Sequence, residues 1–177
     1  MGLDMFLDYR RNLGGIPETI QRAMRKQAFI DAYPSLAEHY IEKGTLDKVI
    51  DARISKGEPY GESLMYWRKA NAIHKFFVDT CADGIDECQP IEVPIDVLAD
   101  LLGRCETILA SGPNDDELII DEDIANELLP THDGFFFGST DYDDWYIEDL
   151  KATTRAIKPI VDHPELYPDP IIYQASW

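Results

Sequence analysis

An α+β fold is predicted for this sequence: a small antiparallel or mixed sheet with several helices packed on it, in a single domain over residues 1–177. Three observations carry the prediction. Both ends of the chain alternate apolar and polar residues as strands do, the runs between them have helical spacing, and no segment repeats. With 177 residues, 45% hydrophobic and 11% aromatic, the chain can build one real core and hardly a second.

The elements follow in order. From Gly2 to Arg10, Leu3, Met5, Leu7 and Tyr9 alternate with Asp4, Phe6, Asp8 and Arg10, the pattern of a strand with one buried face. Gly14-Gly15 breaks it. Pro17 suits a first helical position, so a helix is expected to run to Tyr33, where Pro34 stops it. Ser35 and Glu38 are spaced as a capping box for a short helix ending at Gly44, and Thr45 caps a third helix carrying Leu46, Val49 and Ile50. A single helix is expected over 62–80, with Tyr66, Ala70, Ile73 and Phe77 as its core stripe. Ile91 to Val93 is extended. Pro94 then opens a helix whose Leu98, Leu101, Leu102, Cys105, Ile108 and Leu109 share a face. Residues 114–123 form an acidic loop around Leu118-Ile119-Ile120, a candidate edge strand, and a helical turn ends at Leu129-Pro130. Gly134 and Gly138 bracket three phenylalanines, which predict a short buried strand. Ser139 or Thr140 caps a long helix with Tyr142, Trp145, Tyr146, Leu150, Ile157 and Ile160 inward, and Ile171 to Trp177 is a final strand. The strands at 2–10, 135–137 and 171–176 are expected to form the sheet.

Composition narrows the function. The net charge of −18 is uneven: residues 1–78 hold 12 basic and 10 acidic residues, whereas residues 79–177 hold 4 and 24. Such a body is repelled by nucleic acid, which binds through phosphate neutralisation. Residues 17–56 show no concentrated basic recognition face of the kind a DNA-reading helix needs. No apolar run reaches membrane-span length, and the start lacks a secretory pattern. Three cysteines, Cys81, Cys88 and Cys105, read as free thiols of a reducing cytoplasm. Phosphate-loop, dinucleotide and nucleophile-elbow motifs are absent, and no cofactor is implied.

Two stretches could carry chemistry. On the expected 62–80 helix, Trp67, Asn71 and His74 form a stripe beside the apolar one, with Arg68 and Lys75 on a neighbouring face. An aromatic plane, an amide, an imidazole and cations suit a nucleobase, a phosphate or a carboxylate. A boundary helix satisfying its own polar groups has the same composition. The second stretch is GFFFGSTDYDDWY at 134–146. There Phe136, Ser139 and Thr140 precede a helix start, and Tyr142 and Trp145 offer stacking surfaces. Asp141, Asp143 and Asp144 crowd that start, which favours self-capping over a bound phosphate; with Glu148 they lack the spacing of a calcium loop.

The combination of MGLDMF, YWRKANAIHKFFVD, LLPTHDGFFFGSTDYDDWYIEDL and a terminal YQASW resembles a group of bacteriophage and prophage proteins of unassigned function. The resemblance covers the two ends and most of residues 62–161. Residues 11–61 look like a helical insertion or variable region relative to shorter members. It transfers no site residues, but it implies a phage accessory protein in the host bacterial cytoplasm, of a kind that commonly blunts host defence. The expected function is therefore a non-enzymatic protein that sequesters a small anionic or nucleotide-like ligand between the 66–77 helix and the 135–146 segment. The alternatives are an acidic inhibitor or DNA mimic docking on a basic host protein through Asp115, Asp116, Asp121 and Asp123, and a nucleotide hydrolase. Tyr173 and Trp177 in the tail could support a homo-oligomer.

Overall fold

The structure is a computed structural model describing residues 2–10, 17–55, 61–112, 119–134 and 136–177. The Gly14-Gly15 break, Asp115, Asp116, Leu118 and Phe135 lie outside the described residues. The chain divides into two compact units, Met1–Asp8 with Leu64–Trp177, and Tyr9–Ser63 between them in sequence.

The first unit is built on a four-stranded sheet. Its strands are β1 (Asp4–Arg10), β2 (Gly61–Arg68), β3 (Ile91–Glu92) and β4 (Ile171–Ser176), in the order β2-β1-β4-β3. β3 and β4 are antiparallel, with Ile91 opposite Tyr173 and Glu92 opposite Ile172. Alternation sorts the faces of the strands, in β1 as the sequence predicts. Met5 and Leu7 of β1, Trp67 of β2 and Ile171, Tyr173 and Ala175 of β4 are buried. Phe6 and Tyr66 meet on the outer face with ring centroids 5.3 Å apart, and the Tyr66 hydroxyl donates to Asp4.

Two expectations for this unit are corrected. The helix expected over 62–80 is β2 followed by a turn at Lys69-Ala70 and then α4 (Asn71–Cys81). Ala70, Ile73 and Phe77 fit a helical stripe, but Tyr66 is exposed on the sheet's outer face while Trp67 is buried. Pairing with β1 offers this aromatic-rich segment a ladder, and tertiary pairing overrides a local period. The buried strand expected at 135–137 is not formed among its described residues: Phe136 lies in a turn, exposed at φ +73°, and Phe137 enters the core, so the sheet's remaining strands are β2 and β3.

The helices of this unit are α4, α5 (Ile95–Leu109), α6 (Glu122–Leu128) and α7 (Asp144–Asp162). α5 and α7 pack along each other. Leu98, Leu101, Leu102, Cys105 and Ile108 face Ile147, Leu150, Ile157 and Ile160 in a continuous buried layer. Asp143, not Ser139 or Thr140, caps α7: its carboxylate accepts from the Tyr146 amide at 3.1 Å. Among the described residues no helix is long and apolar enough to cross a membrane.

The second unit holds α1 (Glu18–Ala32), α2 (Pro34–Glu42) and α3 (Leu46–Ser55). Phe29, Ala37, Leu46 and Ile50 form its core. Pro34 ends the first helix and also supplies the first residue of α2, so no side chain caps that start and the expected Ser35–Glu38 box is not formed. Arg22–Asp51 and Lys26–Asp47 ion pairs link α1 to α3 at the surface.

Candidate functional site

The junction of β2 and α4 has an unusual backbone. Lys69 takes a left-handed conformation, φ +64°, at little intrinsic benefit to a residue with a Cβ. It is held there from both sides. Its amide donates to Leu3 at 2.8 Å, extending the β1–β2 pairing, and its carbonyl accepts from Asn71 at 2.8 Å. Gly138, at φ +97°, lies against it so closely that a Cβ would sit 3.1 Å from the Lys69 Cβ. Strained non-glycine backbone of this kind concentrates where a fold presents a ligand site.

Asn71 fixes the opposite wall. Its Nδ2 donates to the carbonyls of Ser139, at 2.7 Å, and Phe137, at 3.2 Å; its Oδ1 accepts from the His132 amide at 3.0 Å. One buried amide thus clamps the 132–139 segment onto the start of α4. The Thr131 hydroxyl donates to the Thr140 carbonyl and closes the segment. Within it, a Cβ at Gly134 would lie 2.5 Å from the Phe137 ring, so only glycine lets that ring fold back into the core.

Between these walls and the first turns of α7 lies a cleft of about 600 Å³, the size range of pockets that take small molecules. Its lining includes the cations Arg68 and Lys69 and the acids Asp141, Asp143 and Asp149. Trp145, 80% exposed, lines it as well. Ala70 at the N-cap of α4 offers no side-chain acceptor, so the positive end of that helix opens onto the cleft uncapped. Asp149 is half-buried, and among the described residues no donor reaches its carboxyl. Burial, with Asp143 and Glu148 nearby, pushes its pKa up to about 7. Burial likewise raises the phenol of Tyr146, whose hydroxyl donates to Leu129 at 2.9 Å.

Several residues singled out in the sequence meet here. Arg68, Asn71, Ser139 and Trp145 line the cleft. Ser139 uses its hydroxyl to accept from the Asp141 amide. Thr140 is exposed beside the cleft lining, and Tyr142 donates to Asn126 at 3.1 Å while packing edge-on against Tyr146. Phe136 is exposed on the turn and is not among the lining residues. Lys75 pairs with Asp79 on the outer side of α4.

Trp67 and His74 line no part of the cleft. Trp67 is 2% exposed, and its indole donates to Thr153. His74, equally buried, lies between Tyr173 and Asp86, with Nδ1 2.6 Å from the phenol oxygen and Nε2 2.9 Å from the carboxylate. A carboxylate only accepts, so Nε2 carries the proton and Nδ1 accepts from Tyr173, whose phenol burial holds protonated. The Phe137 ring stands edge-on to the imidazole at 5.3 Å. This relay ties α4 to β4 and to the 85–90 segment. Cys81, whose thiol is raised by burial, is likewise absent from the lining.

Lys69 and Asp149 were missed by the sequence reading. Lys69 follows Arg68 but falls on an unremarkable position of the helix assumed there. Asp149 had a usable signal, since it interrupts the inward stripe of Tyr146, Leu150 and Thr153 with a charge. Among the described residues no group of three or more histidine, cysteine or acidic side chains is arranged to hold a metal ion. The chain matches no protein-family model, no curated protein and no solved structure.

Proposed function

We propose that the protein binds and sequesters a small nucleotide-like ligand, with its phosphate at Arg68, Lys69 and the open end of α4 and its planar part beside Trp145. One observation carries this reading: the β2–α4 junction, the clamped 132–139 segment and the start of α7 converge on one cleft whose lining combines two cations with an exposed indole. Helix N-termini with adjacent basic side chains suit phosphates, and an indole suits a base. Among the described residues the lining contains neither histidine nor cysteine, which favours binding over nucleophilic turnover. The resemblance to phage and prophage proteins supplies the setting, an accessory factor in a host bacterial cytoplasm that withdraws a nucleotide signal from a defence response.

Calorimetric titration of the full chain with mononucleotides, alongside mass spectrometry of material released from the purified protein by heat, tests the reading. Micromolar binding of at least one nucleotide is expected, weakened about tenfold by Arg68→Ala and by Trp145→Ala. A chain that carries no nucleotide and binds none would end it. Steady product release with nucleotide in excess would instead make the protein a hydrolase, with Asp149, titrating near neutrality, as the obvious base.

A further inference from the structure

The lining of the cleft holds acids as well as cations, and the acids call for a partner of their own. Asp143 is engaged in capping α7, accepting from the Tyr146 amide. Asp149 is different. Its backbone carbonyl accepts from the Thr153 hydroxyl at 2.6 Å, yet among the described residues its carboxyl receives no hydrogen bond. A half-buried carboxylate without protein donors costs the fold stability. In this position an asparagine, a serine or an apolar side chain would fit the core stripe better. Groups kept against the interests of the fold are characteristic of ligand sites.

Resting on the nucleotide-binding reading above, we infer that the cleft selects guanine, with the Asp149 carboxylate accepting from the base's N1–H and exocyclic 2-amino group. Donor patterns distinguish the bases. A carboxylate only accepts, and its two oxygens match a pair of parallel N–H donors. Guanine presents such a pair on its Watson–Crick edge. Adenine presents one acceptor and one donor there, and hypoxanthine keeps N1–H but lacks the 2-amino group. Trp145, one helical turn before Asp149, provides a face on which the base can stack, and Arg68 and Lys69 remain for the phosphate. A site that hydrogen-bonds its ligand's polar groups rejects analogues lacking them, because the protein group is then left buried and unpaired.

The experiment is a calorimetric titration of the full chain at pH 8, where Asp149 is ionised, with GMP, IMP, AMP and XMP. GMP is expected to bind at least about tenfold more tightly than IMP or AMP. Asp149→Asn replaces one acceptor oxygen by an amide donor, and is expected to lose GMP affinity about tenfold while gaining XMP, whose 2-oxo group accepts where guanine donates. Wild-type protein binding AMP or IMP as tightly as GMP would overturn the inference and leave nucleotide binding intact. So would an Asp149→Asn variant with an unchanged GMP preference. If none of the four nucleotides binds, the functional reading falls and the inference with it. The wild-type ranking decides the matter even without a folded variant.

Discussion

The Trp67 indole donates to the Thr153 hydroxyl at 2.8 Å, and both side chains are buried. Thr153 in turn donates to the carbonyl of Asp149 one helical turn earlier, at 2.6 Å. A tryptophan that reaches no ligand therefore steadies the backbone on which Asp149 stands. Thr153→Val keeps the shape and removes both bonds, orphaning the indole N–H in the core. A loss of about 1–3 kcal/mol is expected by urea denaturation. Trp67→Phe, which removes the donor as well, is expected to recover part of that loss when combined with Thr153→Val, and a double-mutant cycle measures the coupling.

Asn71 is the clamp of the cleft wall. Asn71→Leu leaves the Ser139 and Phe137 carbonyls and the His132 amide without their partner. A destabilisation on the order of 2–4 kcal/mol is expected, together with faster proteolysis within 131–139. Asn71→Asp keeps the acceptor for His132 but sets a carboxylate against two carbonyls, and is expected to be no better. Unchanged protease resistance in both variants would show that the segment holds itself in place.

Asp149 makes stability depend on pH. Folding raises its pKa from 3.8 to about 7, so between these values the folded chain binds more protons than the unfolded one. Stability from this group is therefore lost as pH rises through that window. Asp149→Asn removes the penalty. Partial contact with solvent reduces the full value, leaving a gain of about 2–3 kcal/mol at pH 8 and little at pH 4. Denaturation midpoints of the two proteins at both pH values check this; an equal gap at each would show that the carboxyl titrates ordinarily.

Two glycines are expected to respond in opposite directions to alanine. Gly138→Ala forces a Cβ into a left-handed position and to 3.1 Å from the Lys69 Cβ, at a cost of about 1–3 kcal/mol. Gly103, inside α5, has open space around its Cβ position, and Gly103→Ala is expected to stabilise by roughly 0.5–1 kcal/mol. Thermal melts of the two variants separate these outcomes.

Elements whose period and punctuation agree were legible in the sequence: β1, α1, α5 and β4 lie where alternation, Pro17, Pro94 and the tail prolines put them. The failures occur where a local signal met a tertiary competitor. Tyr66-Trp67-Arg68 fits a helical stripe as well as a strand, and only the partner strand β1 decides between them. The FFF run has strand propensity, yet Gly134 and Gly138 permit a turn that Asn71, more than sixty residues earlier, holds in place. The site was half legible for the same reason. Arg68, Asn71, Ser139 and Trp145 were found by residue type, although the helix imagined to carry the first two does not exist as such. His74 attracted notice as an imidazole among aromatics, and its phenol and carboxylate partners come from residues too distant in sequence to pair by inspection.

Strands β1 and β2 are neighbours in the sheet, and the Lys69 amide bonded to Leu3, with Phe6 beside Tyr66, makes them antiparallel. Asp8 and Leu64, where the chain leaves and re-enters the first unit, are thus about one strand spacing, ~4.8 Å, apart. In a smaller protein those two positions would be joined by a two-residue β-hairpin turn. Here the residues Tyr9–Ser63 of the second unit stand between them in sequence. Pairing with β1 therefore fixes the register of the strand that delivers Arg68 and Lys69, and a longer connection between the two strands costs only slowly more closure entropy.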